Sequence, residues 1–130
     1  MADVPFIHLR LHSEYSITDG IVRLDDALAR AAADGMPALA LTDLVNLFGL
    51  VKFYNAARYR GVKPLLGCDI HLANDNDVDR PHRLLLLCRS HRGYLQLCEL
   101  LSRAYLSPRM HGRAEISRRM LQEVGVDGLA

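Results

Sequence analysis

The chain has 130 residues, 50% of them hydrophobic and 24% charged, with a formal net charge of +1. That length suits one domain or a piece of one, and rules out a complete multi-domain machine. The composition excludes a disordered, collagenous or supercharged chain.

Cys68, Cys88 and Cys98 share no CxxC spacing and each lies in an apolar run, so buried reduced thiols in a reducing cytoplasm are expected. The N-terminus carries Asp3 and no apolar run, which reads as no signal peptide. No stretch approaches the roughly 18 apolar residues of a membrane span. Charge is uneven. Residues 1–80 hold 8 Lys or Arg against 11 Asp or Glu, and residues 81–130 hold 8 Arg against 4 acids. A basic half marks either nucleic-acid contact or a solvated helix face.

Phe6 to His12 alternates apolar and polar residues, the period of a half-buried strand. A polar loop follows from Ser13 to Gly20. Leu24, Ala27, Leu28, Ala31 and Ala32 recur at helical spacing, and Gly35 with Pro37 stops that helix. Ala38–Leu41 is a short apolar run, typical of a buried parallel strand. Asn46 is placed to cap a second helix with Leu47, Leu50, Val51, Tyr54 and Ala57 on its apolar face. Gly61 closes it.

Val62–Leu66 predicts a third strand ending at Gly67-Cys68-Asp69, and Leu84–Cys88 a fourth. Between them lies a loop rich in Asn and Asp. It lacks the Gly and Glu an EF-hand loop requires, so it reads as a solvated turn. Ser90 caps a third helix carrying Tyr94, Cys98, Leu101 and Tyr105, ended by Pro108. A weak fourth helix runs over about Ala114 to Val124. The order β-α-β-α-β-β-α-α predicts an α/β fold with mainly parallel strands flanked by helices. The visible strands are too few to close a barrel, so an open sheet edge is expected.

Sites in such folds gather at the C-terminal ends of parallel strands. That rule selects Arg10 and His12, then Asp43, then Asp69. Asp19, in the loop after the first strand, can fold back over the same rim. His12, Asp19 and Asp69 have the chemistry of ligands for a divalent ion that activates water, the set a small metal-dependent phosphoesterase would use. Arg10 opposes a cation there, and Leu44-Val45 follows Asp43 where another ligand would be useful. A metal site and a structural polar rim both remain open on spacing alone. There is no dinucleotide fingerprint and no Walker loop.

Three stretches are specific: Phe6 to Ser16 with Thr18-Asp19-Gly20; Gly35 to Asp43; and Asn46 to Tyr54 with Gly61 to Gly67 behind it. Together they resemble the N-terminal PHP (polymerase and histidinol phosphatase) domain of bacterial replicative DNA polymerase III alpha subunits, over about residues 5–124. The resemblance implies that residues 1–130 are the N-terminal part of a PHP domain. They would be the first half of a distorted (β/α)7 barrel, with the rest of the barrel and the polymerase domains absent. It implies a parent that is a DNA-directed DNA polymerase, a nucleotidyltransferase of DNA replication using Mg2+ in domains outside this segment.

Carried over residue by residue, the first His of the family's HxH pair is Arg10 and the second is His12. The loop acid is Asp19, and the acid after the third strand is Asp69. The His after Asp43 is replaced by Leu44, and a further ligand falls on Arg83 with His82 one residue away. This resembles the degenerate metal sites of proteobacterial members. The expectation is a vestigial pocket of Arg10, His12, Asp19, Asp43 and Asp69, with no catalytic residue, no bound metal and no cofactor in the segment. Arg10 would replace the missing cation by pairing with Asp19 or Asp69. The implied partners are the proofreading exonuclease subunit and the replisome in the cytoplasm, with DNA held through the absent polymerase domains and no membrane.

Overall fold

The computed structural model describes residues 5–107 and 112–130; Pro108, expected to end the third helix, lies outside them. Its helices are α1 (Leu24–Ala33), α2 (Leu50–Tyr59), α3 (His91–Leu106) and α4 (Arg118–Val124), with a 3-10 turn over Glu14–Ser16. Its strands are β1 (Ala38–Leu41), β2 (Lys63–Leu72) and β3 (His82–Leu87), in the order β1-β2-β3.

The first half of β2 lies parallel to β1, from Ala38 opposite Lys63 to Leu41 opposite Leu66, with α2 as the crossover. Its second half lies antiparallel to β3, from Gly67 opposite Leu87 to Leu72 opposite His82. The sheet is therefore mixed. β2 runs through Gly67-Cys68-Asp69 rather than ending there, so Asp69 sits inside the long central strand.

Residues 6–12 lie against β1 without forming a regular strand. Ala40 N donates to His8 O at 3.0 Å, and Thr42 N donates to Leu11 O at 2.9 Å. The donors advance by two residues while the acceptors advance by three. That extra residue breaks the ladder as a bulge does, which the unbroken alternation of Phe6 to His12 could not reveal.

The helices form where spacing and caps place them. Ser90 Oγ accepts from Gly93 N at the start of α3, and Ser117 Oγ accepts from Met120 N at the start of α4. Gly35, at φ +68°, provides the left-handed turn that ends α1. Asn46 does not cap α2, whose N-cap is Gly49. Asn46 Nδ2 instead donates to Tyr15 O, and its Oδ1 accepts from Phe48 N, so it ties two loops together.

The buried face of α2 is Leu50, Phe53 and Ala57, leaving Val51 and Tyr54 exposed. The buried face of α3 is Gly93, Gln96, Leu97, Leu100, Leu101 and Ala104, with the tyrosines on its flanks. Tyr54 and Tyr105 stand at the helix margins, where the Tyr54 hydroxyl accepts from Arg58 and the Tyr105 hydroxyl donates to Val45 O.

Two apolar clusters result. One joins α1, β1 and α2 around Leu28, Leu41 and Phe53. The other joins β2, β3 and α3 around Cys68, Ile70, Leu97 and Ile116. Burial pushes the Cys68 thiol up to about 12, as befits an inert core residue. Because β2 side chains alternate, Cys68 and Ile70 enter this core while Asp69 points to the opposite face.

A candidate functional site at the sheet rim

Asp69 is fully buried, and its partners come from the bulged N-terminal segment. Arg10 Nε donates to Asp69 Oδ2 at 2.7 Å and Arg10 Nη2 donates to Oδ1 at 2.6 Å, a two-pronged pair. His12 Nε2 lies 2.8 Å from Asp69 Oδ2, and His12 Nδ1 lies 3.0 Å from Asp19 Oδ1. Each ring nitrogen of His12 thus faces a carboxylate oxygen. Arg83 Nη1 stands 3.7 Å from Asp69 Oδ2 and 3.9 Å from Asp19 Oδ2.

Burial pushes the Asp69 carboxyl up. The hydrogen bonds and charges of Arg10 and His12 outweigh it and hold the group below its ordinary value. Reciprocally, the hydrogen bond to Asp69 raises Arg10.

Asp43 is also buried but belongs to a separate hub. It accepts from Ser13 N at 2.6 Å, from Ser13 Oγ at 2.8 Å on its second oxygen, and from Ser16 Oγ at 2.8 Å. It therefore fixes the loop that carries Asp19 rather than facing Arg10. Backbone bonds join the two hubs: Asp69 N donates to Asp43 O at 3.1 Å, and Val45 N donates to Asp69 O at 2.8 Å. Val45 holds a left-handed backbone at φ +52°, rare for a β-branched residue, and Tyr105 Oη donates to its carbonyl at 2.6 Å. Ile17 is strained likewise at φ +66°, in the loop between Ser16 and Asp19.

The structure thus brings together Arg10, His12, Asp19 and Asp69, and sets Asp43 behind them as a support. Arg83 joins the cluster, and Ser13 and Ser16 complete the Asp43 hub behind it. The Ser-x-x-Ser spacing after His12 was the available signal for those two hydroxyls. His82 is exposed at the edge of β3.

A divalent ion does not fit these residues. Both oxygens of Asp69 are held by a guanidinium, both ring nitrogens of His12 face carboxylates, and Leu44 offers no donor. Among the described residues no group of three or more His, Cys, Asp or Glu is arranged to hold a metal ion. The Asn and Asp loop is likewise turned on itself, with Asn74 Oδ1 accepting from Asn76 N and Asp77 Oδ1 from Asp79 N.

Each of the four acids of the second half meets an arginine of that half, which leaves its formal excess of positive charge in place. Arg92 pairs with Asp127, Arg103 with Glu99 and Glu123, Arg113 with Glu115, and Arg119 with Glu123. Among the described residues no helix is long and apolar enough to cross a membrane.

Comparison with known proteins addresses the family and the fold. The chain is 44% identical over 130 residues to the DNA polymerase III subunit alpha of Neisseria meningitidis, covering 99% of this chain and 11% of that protein. It is 45% identical over 105 residues to the alpha subunit of Escherichia coli K12, covering 81% of this chain and 9% of that protein. The chain thus spans about a tenth of the length of these relatives, matching their N-terminal region.

Among solved structures it resembles an amidohydrolase from Chromobacterium violaceum with bound sulfate and no metal. That match has TM-score 0.57 at 26% identity, over 75% of this chain and 32% of that one. A Bifidobacterium adolescentis protein described as a metal-dependent phosphoesterase matches with TM-score 0.54 at 19% identity, over 75% of this chain and 32% of that one. The fold is accordingly part of a larger α/β barrel. The model of the PHP domain matches residues 8–130, and the chain belongs to the PHP domain family.

Proposed function

We propose that this chain is a non-catalytic PHP segment of a replicative DNA polymerase III alpha subunit, a scaffold that helps dock the proofreading exonuclease subunit. The observation that carries the reading is the two-pronged Arg10–Asp69 pair, with both ring nitrogens of His12 engaged beside it. A guanidinium supplies the positive charge that a hydrolytic member would take from a metal ion. It cannot activate water, because it has no open coordination position. The rim is then a structural cross-link between the N-terminal segment and β2. DNA synthesis, with its Mg2+ and its DNA contacts, belongs to parts of the parent outside this segment, within a cytoplasmic replisome.

Co-purification with the cognate exonuclease subunit tests the docking role. A stoichiometric complex is expected, and failure of an intact PHP domain containing this segment to bind would overturn it. Metal-dependent hydrolysis of a phosphoester that is lost on His12→Ala would replace the scaffold with the enzyme reading.

A further inference from the structure

β2 and β3 are joined as an antiparallel hairpin, so no crossover helix covers the sheet between α2 and α3. The gap is a groove of about 730 Å³. Its walls are Val51 and Tyr54 of α2, Leu65 of β2 and Tyr94 of α3, with Lys63 and Arg89 on the rim. Val51 is 67% exposed and Tyr54 38% exposed, so the α2 wall of the groove is open.

Three observations say what fits there. The lining contains no Asp or Glu. Among the described residues, Lys63 and Arg89 pair with no carboxylate, although Arg92 a short way along α3 does. Their positive charge is thus left for a partner.

The third observation concerns the backbone. Lys63 N donates to Pro37 O toward β1, and Leu66 O accepts from Cys88 N on the opposite side. Strand alternation therefore turns the backbone of residue 64 toward the groove, and Pro64 has no N–H to give. The edge cannot add a strand at that point. An occupant has to pack by side chains, as a helix does when it lies in a groove.

We propose that this groove docks an acidic amphipathic helix of a partner protein, its apolar stripe on Val51, Tyr54 and Leu65 and its carboxylates on Lys63 and Arg89. This deepens the docking reading and rests on it only for the existence of a protein partner.

The test is fluorescence anisotropy of the whole protein with a labelled Leu/Glu amphipathic peptide of about 18 residues, five helical turns. A Leu/Lys peptide of the same pattern and a single-stranded oligo-dT serve as competitors of other chemistry. The Leu/Glu peptide is expected to bind saturably, and the Leu/Lys peptide at least about tenfold more weakly. Lys63→Glu with Arg89→Glu should weaken the Leu/Glu peptide by about tenfold or more, and so should Val51→Asp. All three positions are exposed, so these variants leave the core intact.

Absent binding, equal binding of both peptides, or binding unchanged in both variants would overturn the proposal. So would oligo-dT displacing the Leu/Glu peptide, or a concentration-dependent dimer that the variants abolish. The exonuclease subunit separates the two readings. If it binds and displaces the peptide, both stand. If it does not bind at all while the peptide responds to the variants, only the exonuclease docking falls.

Discussion

The guanidinium of Arg10 grips both carboxylate oxygens of buried Asp69 across 59 residues of sequence, at 2.7 and 2.6 Å. The pair fastens an irregular N-terminal segment to the central strand of the sheet. It also leaves both oxygens of the Asp69 carboxylate engaged by a fixed positive charge.

Arg10→Ala leaves the Asp69 charge buried with His12 as its nearest support. A loss of about 1–3 kcal/mol in denaturant unfolding is expected, moderated because the guanidinium is itself half exposed. Arg10→Lys keeps the charge but loses the fork, so its loss should be smaller. Arg10→Ala combined with Asp69→Leu should recover part of the stability, because no unpaired charge remains buried. Additive losses would show that the pair is not coupled.

The depressed Asp69 pKa makes part of the stability depend on pH. Its contribution is fully present above the unfolded carboxyl value, about 3.9, and is lost as pH falls through the lower folded value. The stability gap between wild type and Asp69→Asn should therefore shrink as urea midpoints are followed from pH 6 toward pH 2. Glu123 is lowered by Arg119, and Asp127 by Gln96; both persist in the variant. A gap independent of pH would contradict the assignment.

Asp43 and Asp19 should respond differently to removal. Asp43→Ala strands the Ser13 and Ser16 donors in a buried hub, with an expected loss of about 3 kcal/mol. Asp19 is 38% exposed and, among the described residues, serves only the His12–Arg83 side, so Asp19→Ala should cost under about 1 kcal/mol. Thermal or urea unfolding of the two variants checks the order.

Gly93 and Gly35 offer a similar contrast. A Cβ on Gly93 would stand 1.8 Å from Gly128 O, so Gly93→Ala must push the segment carrying Gly128 off α3. Early hydrogen exchange at Arg89 N, which donates to Gly128 O, should report it. Nothing lies within 4 Å of a Cβ at Gly35, so Gly35→Ala should cost only its left-handed backbone, about 1–2 kcal/mol.

Much of this fold was legible in the sequence. Apolar periodicity located α1, β1 and the hairpin strands, and Ser90 marked the start of α3. The PHP motifs brought Arg10, His12, Asp19 and Asp69 to one rim. What was hidden depends on relations between segments. The bulge at residues 8–11 arises from its mismatch with β1, and alternation within one segment carries no trace of a partner's register. Asn46 has good cap chemistry, but Tyr15 O offered its amide a better place. Asp43 looked like a rim residue because it follows a strand, whereas Ser13 and Ser16 draw it into a buried hub. The second half is basic in sequence and in structure, but charge along a chain does not show which of its arginines meet its four acids.

The most direct measurement is metal content. The protein would be incubated with excess Zn2+ or Mn2+, freed of unbound ion by gel filtration and analysed by mass spectrometry. The Arg10–Asp69 account predicts far less than one ion per chain, unchanged by His12→Ala. About one ion per chain, lost on His12→Ala, would contradict it.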